Sequence, residues 1–327
     1  MSILLIGDIH FKINNSRQTL QLEEQVVSVI TSRSVKHVIL LGDVMNEHEK
    51  LFTCVMNRVV RFVTNIIKLC PITILVGNHD MINNQVFCDK NGHWMNIFSG
   101  WRDVTIVDEP MALKICGLQF CCVPYVFAGR FREALDSYKL DPNTFNYVVA
   151  HQEFRGAMMG RFESKSGDEY IWNTLCLSGH VHDFQVLGNV MYTGAAFEQS
   201  FGSSSCWLFL INQKNEIEKI SSLVDGKRVV YRDLVNGSID INIGLRNIQS
   251  DNKCIIRVDN VDDYHRWLIS KQGVEISKKF MIGYTLKGQH TRVFPAIESH
   301  NLIECFKTRV MEKYPYYCDL MNSILEQ

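Results

Sequence analysis

At 327 residues, with 46% hydrophobic and 21% charged residues, the sequence has the composition of a folded globular chain and excludes an extended disordered one. Its net charge of -1 excludes a strong unaided grip on nucleic acid, because that grip comes from Lys and Arg neutralising phosphates. The length exceeds one ordinary domain and predicts a large core with a smaller appended unit.

The 11 cysteines form no CxxC pair and several sit inside apolar runs such as Phe120-Cys121-Cys122-Val123, so they read as reduced core residues. The first apolar run meets Asp8 too early for a signal segment, and no run approaches a membrane span. The expectation is a soluble, intracellular protein, cytoplasmic or associated with a replication site.

In chain order, short apolar runs that end in Gly or a polar cluster predict buried strands at residues 3–6, 38–41, 72–76, 147–150 and 175–178. Helical periodicity over residues 20–30 and 51–69 separates the first three and predicts a βαβαβ start with parallel strands. Between residues 104 and 123 the texture changes to short strands, with Gly117 as a turn. A hairpin is predicted over residues 184–192 around Gly188-Asn189. The core is read as α/β, two stacked sheets with helices outside. The first domain runs over residues 1–225, and a small α/β capping domain follows over 226–298 with a helix near 262–270. A C-terminal helix–turn–helix occupies 299–327, broken at Tyr314-Pro315.

The polar residues sit just past these strands. Gly7-Asp8-Ile9-His10 follows the first, Gly42-Asp43 the second and Gly77-Asn78-His79-Asp80 the third; His151 follows the fourth and Gly179-His180-Val181-His182 the fifth. Open α/β sheets gather ligands at the carboxyl ends of their strands. Any one of these loops is an ordinary turn, but five in order predict a metal centre. A mixed oxygen and nitrogen donor set suits manganese, iron or zinc better than calcium or magnesium. Two divalent ions about 3.5–4 Å apart need a bridging carboxylate and room for a water nucleophile. Asp43 is the candidate bridge, with Asp8, His10 and His182 completing one site and Asn78, His151 and His180 the other. His79 is a candidate acid or charge stabiliser at the leaving oxygen. Asp80 either orients His79 or caps the following segment.

GDIH, GDVMNEH, GNHD, His151 and GHVH, in this order over roughly residues 1–210, resemble the calcineurin-like metallophosphoesterase family. The resemblance implies a four-layer two-sheet sandwich and two-metal phosphoesterase chemistry. Val123-Pro124-Tyr125 and the segment from Asn189 to Ala196, followed by Phe201-Gly202 and the strand at 207–211, are similar to the SbcD-type repair and recombination nucleases of cells, phages and large viruses. That similarity implies a manganese-dependent DNA exo- and endonuclease, an SbcC-like ATPase partner docking on residues 299–327, and a homodimer through helices near residues 51–69. That branch commonly carries His three residues after the second-motif Asp. Here Asn46 holds that position and His48 lies nearby. Protein Ser/Thr phosphatases usually show Asp-Arg-Gly after the second motif and GNHE at the third, and this sequence shows neither.

A nuclease also needs a groove with cationic residues following a backbone. Arg130, Arg132, Arg155, Arg161 and Lys165 lie on segments leading from Tyr125 or His151, and with His48 they are the candidate substrate-binding residues. Two other readings use the same sequence: a small-nucleotide or cyclic-nucleotide phosphodiesterase lidded by the second domain, and a non-catalytic assembly subunit. The complete set of seven ligand-type residues argues against the latter.

Overall fold

The computed structural model describes residues 2–160, 162–199, 206–226, 229–239, 253–277 and 281–287. Arg161 and the segment 299–327 lie outside the described residues. The chain divides into two compact units, 1–227 and 228–327.

In the first unit, β1 (Ser2–Ile6), α1 (Ser16–Ser32), β2 (Val35–Leu40), α2 (Thr53–Ile67), β3 (Ile72–Leu75) and β4 (Val104–Val107) build a parallel βαβαβ start. The sequence then turns to short strands: β5 (Met111–Ile115), β6 (Leu118–Val123), a short helix α3 (Phe131–Ser137), and β7 (Tyr147–His151). A small hairpin follows, β8 (Met158–Met159) with β9 (Phe162–Glu163), and then β10 (Cys176–Gly179), β11 (Gln185–Leu187) and β12 (Val190–Tyr192). The chain returns to the first sheet through β13 (Trp207–Ile211) and β14 (Ile217–Ser221). One six-stranded sheet therefore has the order β14-β13-β1-β2-β3-β4, and the other β11-β12-β10-β7-β6-β5. The predicted hairpin at Gly188-Asn189 forms with Leu187 opposite Val190.

Strand alternation sorts the apolar residues into layers. Ile3 and Leu5 of β1 face inward with Ile39, Phe120, Val149, Leu177 and Phe209, forming the core between the two sheets. Leu4 and Ile6 face the opposite way and meet Leu22 and Val26 of α1 and Val59 and Phe62 of α2. The outer face of the second sheet buries Cys121, Val148 and Cys176 against Phe131, Leu135 and Phe154. The helical stripe of α2, Val55, Val59, Phe62, Val63 and Ile66, is buried at the expected 3.6-residue period. On its second apolar edge, Met56 and Val60 pack against the same core while Phe52 stays exposed. Cys70, Cys121, Cys122, Cys176 and Cys254 are buried free thiols.

Two ties fix the helices to the loop after β1. Asn15, just before α1, donates from Nδ2 to the His10 carbonyl at 2.8 Å and accepts the Lys12 N–H at 3.0 Å. Arg58 of α2 donates to the Lys12 carbonyl at 2.6 Å and to Thr19 Oγ1 at 2.9 Å.

The second unit has a three-stranded parallel sheet of β15 (Val229–Asp233), β16 (Lys253–Val258) and β17 (Met281–Leu286), with α4 (Val261–Ile269) and α5 (Lys271–Ser277). Asn260 caps α4 by accepting the Asp263 N–H at 2.9 Å, and Asp262 and Asp263 place negative charge in its first turn. Its own core gathers Leu234, Ile256, Val258, Tyr264 and Trp267.

Phe62 is fully buried where α2 meets the first sheet. Phe62→Ala is expected to lower the unfolding free energy by about 3–5 kcal/mol. Truncating the exposed Phe52 is expected to change it by about 0.5 kcal/mol or less. Denaturant titration of the two variants beside the parent checks both values.

Candidate metal centre

The carboxyl ends of the central strands of both sheets converge, and the loops leaving them carry the candidate ligands. Asp8 and His10 follow β1, Asp43 follows β2 and Asn78 follows β3, while His151 ends β7 and His180 and His182 follow β10. Bringing these loops together leaves no room for side chains at Gly7, Gly42, Gly77 and Gly179. A Cβ on Gly42, which has φ +96°, would lie 2.4 Å from His151 Nδ1, and one on Gly77 would lie 2.2 Å from the Asp43 backbone nitrogen. Four of the ligand-type residues are themselves left-handed: Asp8, His10, Asp43 and His180 have φ of 31°, 51°, 50° and 81°. Such conformations cost of order 1–3 kcal/mol each for non-glycine residues and persist where the surroundings over-determine them.

Hydrogen bonds supply that determination. Asp8 accepts the His180 N–H on both carboxylate oxygens, at 3.0 and 3.2 Å. Asp43 accepts the His79 N–H on Oδ1 at 2.9 Å, and its carbonyl accepts the His10 N–H at 2.9 Å. Asp80, fully buried, accepts the N–H groups of Val44, Met45 and Gly77 at 3.2, 3.0 and 3.1 Å, and the indole N–H of Trp94 at 3.0 Å. Its carboxylate thus ties the loop after β2 to the loop after β3. His79 is oriented by other groups: its Nδ1 donates to the Asn46 carbonyl at 2.7 Å, and the His48 ring stacks on it at 5.0 Å between centroids with planes 14° apart. The sequence offers Asp80 as an orienter of His79 or a cap on the following segment; its hydrogen bonds run instead to the loops after β2 and β3 and to the Trp94 side chain.

Three groups of side chains bring ligand atoms within 4.8 Å of one another: Asp8, His10 and His182; His10, Asp43 and His79; and Asp43, His151 and His180. Asp43 turns Oδ2 toward His10 Nε2 at 3.5 Å and Oδ1 toward His151 Nε2 at 3.3 Å. His10 Nε2 lies 3.0 Å from His182 Nε2. On the other side, Asn78 Oδ1 meets His151 Nε2 at 3.1 Å and His180 Nδ1 at 2.9 Å. Outer contacts turn the inner nitrogens to the centre: His151 Nδ1 donates to the Leu41 carbonyl at 2.7 Å, so Nε2 points inward, where a metal would replace its proton. Glu153 stands 3.9 Å from His180 Nε2, and Tyr125 stacks on the His180 ring at 5.7 Å.

The electrostatics describe the same donor set. Burial pushes the Asp8 carboxyl up to about 8, with His151 opposing that shift and Asp43 adding to it. Burial alone would also raise Asp43, but His151 and His10 beside it hold it well below the ordinary carboxylate range. Burial drops His10 to about 3 and His182 to about 4, and lowers His180 as well. His151 moves up to about 9: burial opposes the shift, and its pairing with Asp43 overcomes that. Burial and the nearby Asp43 raise Asp80 to about 6. Buried neutral imidazoles facing crowded carboxylates are the donor chemistry that a divalent cation satisfies, so the residues present fit two such ions.

A cavity of about 300 Å³ opens on this cluster, lined by Asp43, Asn78, His180 and His182 together with His79, Val181, Asp183, Met159 and Gly160. The sequence reading did not anticipate the last three; Met159 and Gly160 belong to a two-residue-strand hairpin too short to leave a periodic signal. Three of the candidate substrate arginines are placed elsewhere. Arg130 pairs with Glu133 at 2.6 Å and covers the Phe87 ring at 3.6 Å, Arg132 approaches Asp136 at 3.8 Å, and Arg155 pairs with Glu169 at 2.7 Å. None of these three lines the cavity.

Residues 1–184 match the family described as calcineurin-like phosphoesterase. A phosphoesterase-named protein of Invertebrate iridescent virus 6, 244L, is 40% identical over 205 residues, covering 62% of this chain and 72% of that protein. Another, 078R of Invertebrate iridescent virus 3, is 37% identical over 210 residues, covering 62% of this chain and 60% of its own length. Among solved structures, the nuclease MPE of Pseudomonas putida is 16% identical, with 67% of this chain and 87% of that chain covered and a TM-score of 0.31, a likeness too low to bear on function. No described helix is long and apolar enough to cross a membrane. The matched stretch is more than half of the sequence and carries every one of the strand-end loops, and the chain belongs to the calcineurin-like phosphoesterase family of metal-dependent hydrolases.

Proposed function

We propose that the protein is a two-metal phosphodiesterase acting on nucleic acid, a manganese-dependent DNA exo- and endonuclease of SbcD type. The observation that carries the reading is Asp43, whose two carboxylate oxygens turn to separate imidazole groups. Asp8, His10 and His182 would hold one divalent ion, and Asn78, His151 and His180 the other, with Asp43 shared. When bound, the metals neutralise charge on the phosphoryl oxygens and supply a water acidic enough to attack at neutral pH. His79, fixed by its Nδ1–H on the Asn46 carbonyl, would donate from Nε2 to the departing oxygen when the ring carries its second proton. An SbcC-like ATPase docking on residues 299–327 and a homodimer through α2 complete this proposal.

The cavity volume favours keeping one alternative, a small- or cyclic-nucleotide phosphodiesterase, because about 300 Å³ is at the lower end of small-molecule sites. Incubation with manganese and end-labelled single- and double-stranded DNA, beside cyclic dinucleotides and a chromogenic diester, separates the two. Cleavage of DNA supports the nuclease, cleavage of cyclic dinucleotides alone supports the alternative, and cleavage of nothing overturns both.

Three outcomes follow from the geometry. Asp43→Ala is expected to abolish turnover more completely than Asp8→Ala or His182→Ala, since Asp43 faces both groups. Elemental analysis beside turnover checks this, and two retained metals with near-parent activity would remove Asp43 from the shared position. His79→Ala is expected to keep both metals while turnover falls about 100-fold; an emptied site would make His79 a ligand instead. With Asp8 raised to about 8 and His151 to about 9, both hold protons at pH 7 that metal entry must displace. Metal affinity is therefore expected to rise from pH 6 toward pH 9, with net proton release. Calorimetric titration of manganese in two buffers of different ionisation enthalpy measures that release.

A further inference from the structure

The hairpin β8–β9 leaves the second sheet shortly after His151 and reaches the metal cavity, where Met159 and Gly160 form part of the lining beside His180 and His182. Its side chains are unusual for a surface hairpin: Met158 is 44% exposed, Met159 40% and Phe162 79%. Met159 pairs directly with Phe162 across the ladder, so their backbones are held as neighbours. The hairpin is pinned to β11, because the Gln185 side-chain amide accepts the Met158 N–H and donates to the Met158 carbonyl, both at 2.8 Å. At its root, Gly156 N–H bonds the Ser164 carbonyl and Ser164 N–H bonds the Ala157 carbonyl, each at 2.8 Å.

Met159 lines the cavity, and the exposed Phe162 sits opposite it on the same hairpin, so a thioether at the rim has an uncovered aromatic residue as its cross-strand neighbour. A phosphodiester held at this centre would have Met159 among the residues bordering its ester groups. A flat, weakly polar group on one of those esters can lie against this pair. Nucleobases have this shape, and they stack on aromatic side chains with little dependence on sequence. Sulfur adds a polarisable contact to an aromatic face.

We infer that Met159 and Phe162 form a base-stacking platform, which makes the substrate a phosphodiester with a nucleobase beside the scissile phosphate. The inference rests on the phosphodiesterase reading above and assigns its substrate class. Base recognition is then apolar and sequence-tolerant, in keeping with the pairing of Arg155 to Glu169 rather than to the cavity.

The test compares two chromogenic esters with the same leaving group, thymidine 5′-(p-nitrophenyl) phosphate and methyl p-nitrophenyl phosphate, using full-length protein and manganese. The parent is expected to prefer the base-bearing ester in kcat/KM. Phe162→Ala is expected to reduce that preference about tenfold, through KM, with Phe162→Tyr restoring it. Phe162 is largely exposed, so the melting temperature should not move, and Met159→Ser gives an independent second variant. A short single-stranded oligonucleotide forms a third arm: a lower KM than for the mononucleotide ester assigns a polymer, an equal one a free nucleotide. Hydrolysis of both esters without preference, or a preference that survives Phe162→Ala, overturns the platform while leaving the phosphodiesterase standing. Hydrolysis of neither ester overturns both.

Discussion

Two buried carboxylates and four imidazoles have to share one small volume, and the rest of the architecture follows from holding them there. Asp8 and Asp43 are almost wholly withdrawn from water and repel each other. Withdrawing a carboxylate is costly unless it is paired or hydrogen-bonded. Asp43 has that compensation from His10, His151 and the His79 N–H, whereas Asp8 has mainly the His180 N–H and its carboxyl is driven toward neutrality. The asymmetry marks Asp43 as the fixed charge around which the other donors are arranged. It also explains why the ligands come from both sheets, since one strand end cannot surround a carboxylate with imidazoles on two sides.

Holding that arrangement requires backbone conformations that the residues would not choose. Asp8, His10, Asp43 and His180 sit at positive φ, and glycines at 42 and 77 let the chains pass within contact distance of His151 and Asp43. The compensation comes from the scaffold. Asp80 gathers four N–H donors and locks the loops after β2 and β3 together. Asn15 and Arg58 tie the loop after β1 to both helices. Opposite them, Gln152 donates to Asp168 at 2.7 Å while Asp168 accepts the Gly129 and Phe131 N–H groups, both at 3.0 Å, bracing the segment after His151. These buried polar groups hold the loops that carry the ligand-type residues in their strained conformations.

Much of this was legible in the sequence, for a physical reason. Buried strands alternating with helices leave apolar runs with sharp ends, and the loops at those ends carried Asp, Asn and His in an order that chance seldom supplies. The two-sheet sandwich, the strand-end placement of Asp8, Asp43, Asn78, His151 and His180, and the hairpin at Gly188-Asn189 could all be read from pattern. What could not be read was anything set by tertiary approach. The Asp80 contacts to Val44 and Met45 join residues more than thirty positions apart, and the His48 stack on His79 crosses between two loops. Arg130 and Arg155 were attractive as substrate contacts because sequence shows charge without its partner, and their partners turned out to be Glu133 and Glu169. The hairpin at Met158–Glu163 is too short for periodicity to announce.

That difference in legibility separates chemistry from specificity. The ligand loops are over-determined by close glycine contacts, by hydrogen bonds and by their neighbours, so few substitutions would preserve them. The rim is under-determined. Met158, Met159 and Phe162 are exposed and belong to none of the buried clusters of the sheets, so stability places little constraint on their identity. A fold built this way can keep one hydrolytic centre while its rim is altered for different substrates. Large apolar side chains on such an unconstrained rim are therefore informative: packing does not require a largely exposed phenylalanine at position 162, opposite a methionine that lines the cavity.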